Sequence, residues 1–96
     1  MRAYELMTIH RPEMADDDVR NEIGRLSDFL TEAGATVHTP DYWGKRRFAY
    51  EIDHINEGYY TVVNFEADPA IVADLDRVLG LADTVVRHKV VRPASN

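Results

Sequence analysis

The sequence has no cysteine in its 96 residues. Disulfides, thiolate metal sites, iron–sulfur clusters and cysteine nucleophiles are therefore excluded, and a reducing compartment, the cytoplasm, is the expectation. No apolar run approaches the roughly 20 residues that span a bilayer, so no membrane association is expected. The opening Met1-Arg2-Ala3-Tyr4-Glu5 lacks the apolar stretch of a secretory leader. Glycine is sparse and scattered, at positions 24, 34, 44, 58 and 80, which leaves no glycine-rich phosphate loop. No Gly-x-Ser-x-Gly elbow occurs. The histidines at 10, 38, 54 and 88 lack metal-ligand spacing and read as strand and turn residues. Asp16-Asp17-Asp18 reads as a solvated helix start rather than a cation site. Neither a catalytic residue, a metal, a cofactor nor a small-molecule substrate is expected.

What remains is a chain that is 45% hydrophobic and 29% charged, the balance of a folded domain. Its length suits one domain with a single modest core, here expected over 1–92, with a short flexible tail at 93–96. The net charge of −6 by itself opposes nucleic-acid binding. The charges segregate, however. Glu13, Asp16, Asp17, Asp18, Glu22, Asp28 and Glu32 come early, Lys45, Arg46 and Arg47 are consecutive, and Arg87, Lys89 and Arg92 close the chain.

Periodicity supplies the elements. Residues 3–10 alternate, with Tyr4, Leu6, Thr8 and His10 on one side and Glu5, Met7 and Ile9 on the other. Val19, Ile23, Leu26, Leu30 and Ala33 form a helical stripe over 16–33, with Gly34 placed for a left-handed cap. Residues 35–52 and 59–66 read as the two strands of a long hairpin. Trp43-Gly44 marks a bulge, and residues 53–58 form the turn with Gly58 free to take positive φ. Asp68-Pro69 starts a second helix with Ile71 or Val72, Leu75, Val78 and Leu79 on its stripe, ended by Gly80. Residues 84–92 form the last strand. The order β-α-β-β-α-β is the ferredoxin-like α+β pattern: a four-stranded antiparallel sheet, order 4-1-3-2, with both helices on one face. Leu6, Leu26, Leu30, Phe48, Val63, Phe65, Leu75 and Leu79 are the expected core.

That arrangement leaves the other sheet face open. Glu5, Met7, Ile9, Tyr60, Val62 and Val91 would share it, and a contiguous apolar patch marks an interaction surface. Its edges would carry Lys45–Arg47 and Arg87–Arg92, so an acidic domain can present a locally positive surface. The basic triplet fits either a phosphate site or a solvated edge that deters aggregation. Tyr60 is the one aromatic expected on the open face, and no closely spaced aromatic set for stacking RNA bases is present.

Met1-Arg2-Ala3-Tyr4-Glu5, Pro12, Trp43-Gly44-Lys45-Arg46-Arg47-Phe48-Ala49-Tyr50, Glu57-Gly58-Tyr59-Tyr60 and Val86-Arg87 resemble the bacterial small-subunit ribosomal protein S-six family, from Met1 to about Arg92. The resemblance implies a structural, non-enzymatic constituent of the cytoplasmic ribosome. It also implies binding to the central domain of small-subunit ribosomal RNA together with ribosomal protein S-eighteen, and a monomer when isolated. Arg2, Lys45, Arg46, Arg47, Arg87, Lys89 and Arg92 are the candidate RNA contacts. Glu5, Met7, Ile9, Tyr60, Val62 and Val91 are the candidate partner contacts. Glu51 stands where the family often has proline, so less bend is expected there, and the end of the chain has no glutamate to receive the tail modification some members carry. The alternative, from a different class, is a small dimeric ferredoxin-like enzyme or ligand-sensing module, which would need a polar constellation on the open face.

Overall fold

A computed structural model describes residues 1–52 and 54–93. The elements run β1 (Arg2–His10), α1 (Asp16–Glu32), β2 (Thr36–Val37), β3 (Asp41–Ile52), β4 (Ile55–Ala67), α2 (Pro69–Leu81) and β5 (Val85–Val91). β4, β1 and β5 lie side by side, and β2 and β3 both pair with the outer side of β4. All pairings are antiparallel. This is the expected order 4-1-3-2, with the second strand delivered in two pieces. Pro40 accounts for the break: the His38 N–H still donates to Asn64 O at 2.9 Å, but Pro40 has no N–H to give the ladder.

The α1 stripe buries Val19, Ile23 and Leu30, and α2 buries Leu75 and Leu79. Both helices close on the strand face that carries Tyr4, Leu6, Val63, Phe65 and Ala67. Asp68 is the cap residue of α2 and Pro69 follows it, as expected, although the Asp68 side chain makes no cap bond. α2 runs through Gly80 to Leu81, so Gly80 does not end it. Gly34, at φ 102°, follows the end of α1 in the left-handed region.

The hairpin departs from the sequence reading in three ways. Ile52 pairs with Ile55, so the reversal is shorter than residues 53–58, and His54 takes the positive φ of 66°. The expectations for Asp53 and for the tail at 94–96 lie outside the described residues. Gly58 lies inside β4 and is needed for a different reason: a Cβ there would sit 2.7 Å from Ile9 Cγ2 and 2.8 Å from the His10 carbonyl oxygen. Its role is close approach of two backbones, not a turn. Finally, Phe48 is absent from the core; it packs edge-on against Tyr60, centroids 5.7 Å apart, on the opposite sheet face.

The bulge places these hairpin side chains. Tyr42 pairs with Thr61 and Gly44 with Tyr60, so Trp43 is the extra residue, and Gly44 takes φ 81°. A bulge of this kind needs a residue tolerant of the left-handed region, which glycine supplies. Tyr42 faces the helices, where it stacks on Tyr59 and its hydroxyl donates to Asp16 Oδ1. Trp43 comes out on the open face, stacked on Tyr60.

Candidate functional site

Among the described residues no helix covers the second sheet face, and the strand register assigns its residues. Glu5 lies between Asn64 and Val91, Met7 between Val62 and Lys89, and Ile9 between Tyr60 and Arg87. β3 adds Trp43 and Phe48 through their contacts with Tyr60. It also adds Arg46, opposite Gly58. The curl of the hairpin over β1 and β5 leaves a groove of about 310 Å³. Met7, Ile9, Phe48, Tyr50, Ile52 and Tyr60 supply its apolar walls, and Arg87 and Lys89 its basic side. A shallower depression beside it is lined by Glu5, Met7, Lys89 and Val91.

The sequence-derived candidates are thus regrouped. Arg87 and Lys89, expected as RNA contacts, line the same groove as Met7 and Tyr60, expected as partner contacts. The basic triplet is split by the pleat. Arg46 joins the open face, while Lys45 and Arg47 lie opposite Tyr59 and Glu57 on the helix side. Lys45 Nζ sits 5.1 Å from the centre of the Tyr59 ring. Arg2, paired with Ala67, and Arg92, just beyond Val91, are at the far end of the sheet. At about 3.4 Å per residue, roughly 27 Å of β1 separates Arg2 from the hairpin end.

One expectation about the open face is corrected. Ile9 is only 3% exposed, because Gly58 and the Phe48 ring lie over it; it forms the floor of the groove and is not free to meet a partner. Tyr60 does lie on the open face, half-buried. It is stacked under Trp43, rings 8° from parallel with centroids 6.1 Å apart, and braced by Phe48. The residues missed were Trp43, Phe48, Tyr50 and Ile52. The signal lay in Trp43-Gly44 itself, since a bulge there shifts the facing of the residues around it.

Titratable groups on the helix side are engaged in holding the fold. Asp16 accepts hydrogen bonds from the Tyr42 hydroxyl and Arg20 Nε, and these hold its carboxyl below the usual range, the Tyr42 bond foremost. Tyr42 in turn is pushed up to about 12, first by burial and then by its bond to Asp16. Among the described residues no cluster of His, Asp and Glu could hold a metal ion. His10 is 3% exposed, its Nδ1 has no hydrogen-bond partner, and Nε2 lies 3.8 Å from Glu22 Oε2. Burial lowers its pKa from 6.5, against a smaller upward pull from Glu22. The folded state therefore resists a proton that the unfolded chain accepts. Stability is fully present above pH 6.5 and is lost as pH falls from there through the lowered folded value. Urea melts between pH 7.5 and 5 should show this decline, and His10→Gln should flatten it. An unchanged slope in the variant would remove His10 as the cause.

The Trp43–Tyr50 block that shapes this face is the most specific part of the resemblance to the S-six family, and comparison with known proteins bears the family out. Residues 3–92 match the family model described as Ribosomal protein S6. The chain belongs to that family. It is 43% identical over 94 residues to small ribosomal subunit protein bS6 of Symbiobacterium thermophilum, covering 98% of this chain and 99% of that one. The bS6 protein of Desulforamulus reducens is 45% identical over 92 residues, with 96% and 97% covered. The crystal structure of 30S ribosomal protein S6 from Thermotoga maritima superposes with a TM-score of 0.89 at 29% identity, covering 96% of this chain and 87% of that chain. S6 family membership makes this a protein of the small ribosomal subunit, and so of the ribosome in the cytoplasm. No helix among the described residues is long and apolar enough to cross a membrane.

Proposed function

We propose that this protein is a structural, non-enzymatic constituent of the small subunit that binds the central domain of small-subunit ribosomal RNA as a pair with ribosomal protein S-eighteen. The observation that carries this reading is the open face, where half-buried Met7, Val62 and Val91 stand beside Arg87 and Lys89 with no helix among the described residues above them. A net charge of −6 makes long-range attraction to RNA unfavourable for the chain alone. A basic partner laid over the apolar face would bury area worth roughly 25 cal/mol per Å² and would reverse the sign of the composite surface. Arg46, Arg87 and Lys89 would then lie at the seam between partner and RNA, with Lys45 and Arg47 on the outer edge of the hairpin.

The test is a titration of a central-domain RNA fragment, at one fixed salt, with the chain alone and with the pair. The isolated chain should sediment as a monomer and bind weakly, and the pair should bind far more tightly. Its affinity should fall with salt by about 0.7–0.9 in log–log slope for each phosphate contact. A lone chain that binds as tightly as the pair would overturn the reading.

A further inference from the structure

Trp43 is the only tryptophan in the chain and is 46% exposed. Two contacts fix its ring. Tyr60 lies nearly parallel beneath it at 6.1 Å, and the indole N–H donates to Asp41 Oδ2 at 2.9 Å, which sets the ring's rotation. The Trp43 carbonyl accepts from Arg46 Nε at 3.2 Å, which pins the guanidinium beside the ring. The terminal nitrogens of Arg46 make no hydrogen bond or ion pair among the described residues.

A fixed, exposed π face next to a planar cation matches one nucleotide. The base stacks on the indole, a contact tolerant of base identity, and the guanidinium fork meets the phosphate. Charge selects the occupant. Arg46 stands on the same face as the ring, Arg87 and Lys89 line the adjoining groove with Tyr60, and the Asp41 carboxylate is engaged by the indole N–H. This corner of the open face therefore favours a polyanion at the exposed indole. We propose that Trp43 and Arg46 form a stacking site for one unpaired RNA nucleotide. The proposal rests on the RNA-binding reading above and adds to it: a base, and not backbone alone, is engaged at the hairpin.

Trp43 fluorescence reports on the site directly. The chain is titrated at low salt with single-stranded RNA octamers of adenosine, of cytidine and of abasic ribose phosphate, the last equal in charge but without bases. The base-bearing octamers should quench the emission and the abasic one should not. Trp43→Ala should weaken binding of the base-bearing octamers about 5- to 140-fold and leave the abasic one unchanged, while Trp43→Phe should retain most of the affinity. Equal quenching by all three, or no quenching by any, would overturn the stacking site. A parallel titration of the central-domain fragment with the S-eighteen pair separates the two readings. Full affinity with Trp43→Ala defeats stacking and leaves RNA binding standing, whereas no binding by the unaltered pair defeats the RNA-binding reading and the stacking site with it.

Discussion

Leu75→Ala is expected to lower the unfolding free energy by about 2–5 kcal/mol. Leu75 is fully buried on α2 and belongs to the cluster formed with Tyr4, Leu6, Leu30, Val63 and Phe65. Truncation removes the transfer energy of the lost carbons and leaves a cavity. Collapse into that cavity is limited, because its floor is the ladder of β1 and β4, whose backbone is held by register from Arg2↔Ala67 to His10↔Tyr59. α2 also packs against β5, so loosening it should expose the sheet edge as well. Urea unfolding followed by circular dichroism is the measurement. A silent truncation would show that α2 does not seat on this core.

Val62→Lys is expected to weaken pairing with ribosomal protein S-eighteen by about 30-fold or more, the loss typical of an interface hot spot. Val62 is half-buried at the centre of the open face, between Met7 and Asp41. A lysine there can lie along the sheet with its ammonium in water, near the Asp41 carboxylate, so the fold should persist. The interface loses its apolar centre and gains a charge that repels a basic partner. The sign of the substitution is informative. Lysine adds positive charge, which by itself would help RNA binding. If RNA affinity of the mixture nonetheless falls to that of the lone chain, the loss runs through the partner. Tyr60 is the poorer site for such a test, since charging it would also break the stack with Trp43 and Phe48. Co-elution and RNA titration of the variant are the readouts, and normal pairing by Val62→Lys would defeat the assignment of this face.

Much of this protein is determined by local pattern. The stripes of α1 and α2, the Asp68-Pro69 start and the alternation of β1 and β4 follow from periods of 3.6 and 2, which any helix or half-buried strand must obey. Those periods name the core face, and with it Leu6, Leu30, Val63, Phe65, Leu75 and Leu79. They also imply an uncovered sheet face carrying Met7 and Val62. The family could be read from the Trp43–Tyr50 block. What the tertiary structure alone decided is the make-up of that face. A single extra residue at Trp43-Gly44 changes which side the hairpin side chains take, and alternation cannot show where the count resumes. So Phe48 leaves the expected core, Trp43 joins Tyr60 on the open face, and Ile9 is covered. Gly58 looked like a turn residue because nothing nearby in sequence announces that β1 passes within 2.8 Å of its missing side chain. The reach of Arg87 and Lys89 into the same groove as Met7 and Tyr60 is likewise a matter of strand pairing between residues some 80 positions apart, since Met7 opposes Lys89, and only the closed sheet brings them together.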